Sequence, residues 1–218
     1  MWSALREIGR SLAGDVRVVV VRGAGRTFSS GLDLSVAQEA FAGLSGLAEQ
    51  AAADRIAEFQ EAFSWLRRPD LVTVAAVQGH AIGAGFQLAL ACDLRILADD
   101  AQLSMAEVTL GLVPDLGGTK RLVELVGYSR AIEICVTGRR LAAAEAERIG
   151  LATLVVPAAE LDAAVRDLCA AVLAAPRDAV VEVKALVAAA AGRSFADQLT
   201  AEREAQVRRI RDLMGLGD

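Results

Sequence analysis

The stretch from Leu71 to Lys120 concentrates residue types that could act on a carbonyl oxygen. Gly79, Gly83, Ala84 and Gly85 stand between an apolar run, Leu71–Val77, and a short apolar helix pattern, Phe86–Cys92. Small residues let another group come close to the backbone. At a helix N-terminus they also leave amide N–H groups unpaired, where partial positive charge favours an anion or a developing oxyanion. A comparable unit lies upstream, where the apolar run Val16–Val21 leads into Phe28-Ser29-Ser30-Gly31-Leu32-Asp33-Leu34. Two such loops could supply two N–H donors to one oxygen. On local pattern alone, the glycine-rich segment fits equally well a turn that merely permits tight strand–helix packing.

Positioning such loops requires strands that feed them. Leu71–Val77 is rich in β-branched residues and bounded by Gln78-Gly79, which predicts a buried strand, and Leu94–Leu97 predicts a second one after the helix. Asp15–Val21 is continuously apolar over Val18–Val21, which predicts a strand covered on both faces. Residues 2–13 read as a helix presenting Trp2, Leu5, Ile8 and Leu12 on one face. Residues 33–67 read as helix interrupted at Gly43 and Gly46, firmest over Ala52–Leu66 and ended by Pro69. Gln102–Met105 reads as a short strand, Glu107–Gly111 as a turn, and Gly117–Val126, Ser129–Thr137 and Leu141–Ile149 as helices. Ala152–Val156 reads as a strand, and 158–174, 177–191 and 194–213 as helices. Strands alternate with helices early and helices dominate late, an α/β pattern.

The chain has 218 residues, enough for a sizeable core, and a net charge of −5, which argues against a nucleic-acid partner. It is 54% hydrophobic, yet no uninterrupted apolar run nears the ~20 residues of a membrane helix. Cys92, Cys135 and Cys169 are scattered in apolar helix patterns, with neither metal-ligand spacing nor a disulfide framework. Met1-Trp2 opens directly on an amphipathic pattern, so no leader is expected, and the location expected is cytoplasmic. Arg203, Arg208, Arg209 and Arg211 alternate with acids, as on a solvated helix face.

Three blocks taken together carry more weight than any one of them: Phe28-Ser29-Ser30-Gly31-Leu32-Asp33-Leu34, then Ala76–Asp93, then Glu107 through Gly111-Leu112-Val113-Pro114 to Gly117-Gly118-Thr119. In this order and spacing they resemble the enoyl-CoA hydratase/isomerase (crotonase) family. The resemblance covers nearly the whole chain. It implies a crotonase-like spiral of ββα units with a helical C-terminal region, divided as 1–156 and 157–218. Family members usually carry an N-R-P-x-x-x-N-A hairpin before the first helix and an E-G…F-x-E-K-R helical segment at the end. Neither pattern occurs in this sequence, and without the hairpin the Val16–Val21 strand is expected to present an unpaired edge.

The chemistry so implied is enolate chemistry on an acyl-CoA thioester, with coenzyme A as part of the substrate and no separate cofactor. The backbone amides of Leu32 and Ala84 correspond to the family's two oxyanion donors. Ser29, Ser30, Gly31, Asp33 and Gly83 correspond to the loop on the substrate side. Of the two glutamates used by the family's hydratases, the second corresponds to Glu107, while the first is Gln87 here. An amide can orient a water but cannot exchange protons as a carboxylate does. The family's double-bond isomerases work with the one glutamate, and its dienoyl isomerases add an acid that corresponds to Asp115. The local alternative to these roles is a surface carboxylate for Glu107, the lesser reading there, and a turn or helix cap for Asp115, which fits about as well as the functional one. His80, the only histidine, leaves no serine–histidine pair unless it serves itself, and Asp93 reads as a structural acceptor at a helix-to-strand corner. The expectation is therefore enoyl-CoA isomerisation through Glu107, with enoyl-CoA hydratase as the alternative. From another class, a catalytically weak acyl-CoA-binding or oligomer-forming member stays open. A homotrimer or homohexamer is implied by the resemblance.

Overall fold

The computed structural model describes residues 1–33, 35 and 42–216. Part of the predicted helix after Asp33, residues 34 and 36–41, lies outside them. A parallel four-stranded sheet runs in the order β1 (Val18–Arg22), β2 (Val72–Val77), β4 (Leu94–Ala98), β7 (Leu154–Val156). A second sheet joins β3 (His80–Ile82), β5 (Gln102–Ser104) and β6 (Leu141–Ala142). Two ββα turns are plain: β2, β3 and helix α3 (Ala84–Ala91), then β4, β5 and helix α4 (Gly118–Val126). This is the α/β spiral expected of the crotonase fold.

Every residue of β2 is buried, and so are residues 85–91 of α3. The helix N-terminus is therefore a fixed feature, set in a core built around Phe86, Leu90, Leu97, Leu103 and Met105. Its other end is held by Arg95, which is only 4% exposed. The Arg95 guanidinium donates to the carbonyls of Cys92 at 2.8 Å and Leu151 at 2.7 Å, placing a cation where the helix presents its carbonyl ends. Burial lowers its pKa to about 10. Asp93 is the predicted corner acceptor, taking hydrogen bonds from the Thr73 amide (2.8 Å) and from Lys184 Nζ (2.7 Å).

Lys184 lies on α8 (Arg177–Ala190), which follows α7 (Leu161–Ala174) and precedes α9 (Phe195–Leu213). Arg208 of α9 pairs with Glu182 of α8 at 2.7 Å, so part of the arginine cluster joins two helices rather than facing only solvent.

Three local expectations are corrected. β1 begins at Val18 rather than Asp15 and is not covered on both faces, since Val20 is 38% exposed; it does stand at the sheet edge, as expected, with β2 on only one of its sides. On α1 (Trp2–Ser11), Ile8 is exposed and Gly9 is buried instead, since the Trp65 ring occupies the space a side chain at Gly9 would need. Leu141–Ala142 is a strand and not the first turn of a helix, because it pairs with β5 before α6 (Ala143–Arg148) begins. Among the described residues, no helix is long and apolar enough to cross a membrane.

Candidate active site

The two donor loops meet because β3 joins them. The Phe28 amide donates to the Gln78 carbonyl (2.9 Å) and the Ser29 amide to the His80 carbonyl (2.8 Å). The Ile82 amide in turn donates to the Ser29 carbonyl (3.0 Å). This ladder lays residues 28–31 along β3, so both loops end at one place. Gly31 has φ +91°, and a methyl group there would strike the Ile82 carbonyl at 2.7 Å while lying 3.9 Å from the Ala84 nitrogen. Only glycine fits so close to the turn that starts α3. Neither the Leu32 nor the Ala84 amide has a hydrogen-bond partner among the described residues.

Leu32 and Ala84 both line a cleft of about 500 Å³, together with Ser30, Gly31, Gly83, Gln87, Glu107 and Asp115. Its remaining wall is largely apolar: Ile82 from the end of β3, Leu110, Leu112, Val113 and Leu116 from around the turn before α4, Leu44, Ile56 and Phe59 from the segment holding α2 (Glu49–Ser64), and Trp2 from α1. Trp2 packs its ring on Phe59 with centroids 4.7 Å apart. Sequence reasoning placed Trp2 only on a helix face and assigned Phe59 no role. An aromatic on α1 matched to an aromatic-bearing apolar face on α2 was the signal available for both.

Two expected loop residues stand apart from the lining. Ser29 uses its hydroxyl to accept from the Gly31 amide (3.2 Å) and packs tightly on Gly85. Asp33 is exposed and accepts from the Ser35 amide and hydroxyl at 2.9 and 2.6 Å, hydrogen bonds that hold its carboxyl below the usual range. These two side chains shape the loop rather than face the cleft.

Gln87 and Glu107 are joined directly. Gln87 Nε2 donates to Glu107 Oε1 at 2.7 Å, while Gln87 Oε1 accepts from the Leu116 and Gly118 amides at 2.9 and 3.2 Å. Glu107 Oε2 is shielded from solvent and has no hydrogen-bond partner among the described residues. Burial pushes the Glu107 carboxyl above the usual range, its own amide and Gln87 oppose this, and Asp115 adds to it. Burial raises the Asp115 carboxyl also. Gln60 of α2 fixes the backbone there, donating to the Asp115 carbonyl at 2.6 Å. Chemically, the cleft offers two N–H groups unpaired among the described residues and two half-buried carboxyls, Glu107 and Asp115, in an apolar chamber that strengthens each electrostatic contact.

The chain was compared with known proteins. Residues 3–213 match the family described as Enoyl-CoA hydratase/isomerase. A Thermobifida fusca protein solved in complex with CoA is 52% identical, superposes with a TM-score of 0.92, and is matched over 99% of this chain and 84% of its own. A probable enoyl-CoA hydratase of Mycobacterium bovis is 36% identical over 148 residues, covering 67% of this chain and 54% of that protein. The peroxisomal Delta(3,5)-Delta(2,4)-dienoyl-CoA isomerase of Arabidopsis thaliana is 36% identical over 146 residues, 65% of this chain and 52% of its own length. The chain thus spans about half the length of these two curated relatives. With the family's three sequence blocks brought onto one cleft, in the fold its solved relatives share, this chain belongs to the enoyl-CoA hydratase/isomerase family.

Proposed function

We propose that this protein shifts a carbon–carbon double bond in an enoyl-CoA. The thioester oxygen of a 3-enoyl-CoA sits between the Leu32 and Ala84 amides. Glu107 removes a proton from C2, and charge moves onto that oxygen as a dienolate. The protonated Glu107 then returns the proton to C4, giving the conjugated 2-enoyl-CoA. Atoms and charge balance without any co-reactant.

The observation that carries this reading is the Gln87–Glu107 hydrogen bond, which leaves one carboxylate, not two, at the usual hydratase positions. CoA bound to the Thermobifida fusca relative supports an acyl-CoA substrate. A homotrimer or homohexamer belongs to the same reading, supported by exposed Tyr128, Ile132 and Val136 along one side of α5 (Tyr128–Thr137).

A second reading, hydration of a 2-enoyl-CoA, is favoured by the half-buried Asp115, which puts a second carboxyl on the same cleft. The test is to follow the absorbance of the conjugated thioester with each substrate in turn. Growth of the absorbance from a 3-enoyl-CoA, with a 2-enoyl-CoA unchanged, is the expected result. Loss of absorbance from the 2-enoyl-CoA hands the assignment to hydration. Silence with both, alongside measurable acyl-CoA binding, points to a binding member of the family.

A further inference from the structure

Gln87 is 1% exposed, and each end of its amide has only one arrangement open to it. Its oxygen meets two backbone N–H donors, of Leu116 and Gly118. An NH2 group there would face donors, so the nitrogen must point at Glu107, where it finds a carboxylate acceptor. Gly118 makes the fit possible, since a methyl group at that position would lie 2.7 Å from Gln87 Cγ. One side chain thus ties together α3, the turn bearing Glu107 and the turn bearing Asp115.

We infer that Gln87 is a positioning residue that holds the Glu107 carboxylate and the Asp115 turn in one frame, and that its neutral amide does so at every pH, whereas a carboxylate there would hold it only while one proton is shared with Glu107. The catalytic part of this inference rests on Glu107 being the base of the proposed isomerisation. The holding part does not. A glutamate at 87 could keep the two backbone N–H bonds, but the oxygen then facing Glu107 would lie near 2.7 Å from another oxygen. Such a contact is stable only with one proton shared between the two groups. Gln87 therefore does the work of a permanently protonated acid: it donates at every pH and never competes for the proton that Glu107 carries. The other titratable groups that bear on Glu107 are Asp115, before α4, and Cys135 of α5.

The test uses Gln87→Met and Gln87→Glu, with two readouts: the carboxyl titration of Glu107 by carbon-13 NMR in the unliganded protein, and kcat and KM on a 3-enoyl-CoA across pH. In Gln87→Met the Glu107 carboxylate loses a hydrogen bond to its charged form, so it should titrate at higher pH. Turnover should fall roughly 10- to 100-fold with KM little changed. Gln87→Glu keeps acceptors for both backbone amides, so it remains informative if the methionine variant folds poorly. Its activity should resemble the parent only while one proton is shared, adding a descending limb at higher pH that the parent lacks. A Glu107 titration unmoved in Gln87→Met overturns the inference, whatever the rate does. A Gln87→Glu pH profile that superimposes on the parent overturns it as well. If the titration moves but Glu107→Gln keeps full turnover, the isomerase reading fails and the structural role of Gln87 stands.

Discussion

Gly83 and Glu107 face one another across the mouth of α3: a methyl group on Gly83 would come within 3.3 Å of Glu107 Oε1. Gly83 is also the helix N-cap, with φ +52° and ψ −120°, a conformation that a residue with a Cβ adopts only under strain. The same residue thus sets the direction of the Ala84 amide and leaves room for the Glu107 carboxyl. Gly83→Ala should cost on the order of 1–3 kcal/mol in stability, with turnover falling more than binding of the acyl-CoA. Thermal unfolding and steady-state rates measured together check this, and an unaffected melting temperature would count against the strained cap.

Glu107 is the group on which the proposed reaction depends. Glu107→Gln preserves an acceptor for Gln87 Nε2 but removes the proton carrier, so the rate should drop by ~10²–10⁴ with the fold intact. The measurement is turnover on 3-enoyl-CoA with circular dichroism as control. Parent-like rates in that variant would remove Glu107 from the chemistry.

The half-buried carboxyl of Glu107 gives a signed pH effect. Its pKa in the folded protein lies above the unfolded value of about 4.3. Its contribution to stability is thus fully present below that value and is lost as pH rises through the folded pKa. At pH 7 Glu107→Gln should therefore melt higher than the parent, and the gap should close in acid. Activity runs the other way, falling as acid protonates the base, with a midpoint above that of an ordinary glutamate. A parent and variant that melt together at neutral pH would contradict the burial argument.

The Ala84 amide is tested by Ala84→Pro. The first position of a helix tolerates proline, but the substitution deletes the N–H outright. Acyl-CoA turnover should fall by roughly 10²–10³, the usual cost of one oxyanion donor. A folded variant with undiminished activity would mean that the donor is another group.

The local chemistry of the chain was legible without a fold. An apolar run such as Val72–Val77 bounded by Gln78-Gly79 reads as a buried strand, and the helix that opens before Phe86 has first-turn amides with no carbonyl four residues back to accept them. Leu32 and Ala84 could be named as donors only through the family resemblance, which assigns the role to backbone N–H groups that owe little to side-chain identity. Asp93 as a corner acceptor followed from its place at the end of an apolar helix.

Other features depended on what the folded chain brings together across long separations. β3 is three residues long and is held as a strand only because Ser29 on one side and β5 on the other complete its hydrogen bonds. Val20 is partly exposed because a strand at a sheet edge lacks a neighbour, a property of the sheet and not of valine. Trp2 reaches the cleft because α1 lies across α2, which no periodicity within α1 encodes. Gln87 meets Glu107, Leu116 and Gly118 at separations of 20, 29 and 31 residues, fixed by the parallel crossovers between β2, β4 and α4. The sequence determined that residue 87 is a neutral amide. The tertiary structure decided what that amide holds, because hydrogen bonds between distant residues exist only where packing has already excluded water and set the distance.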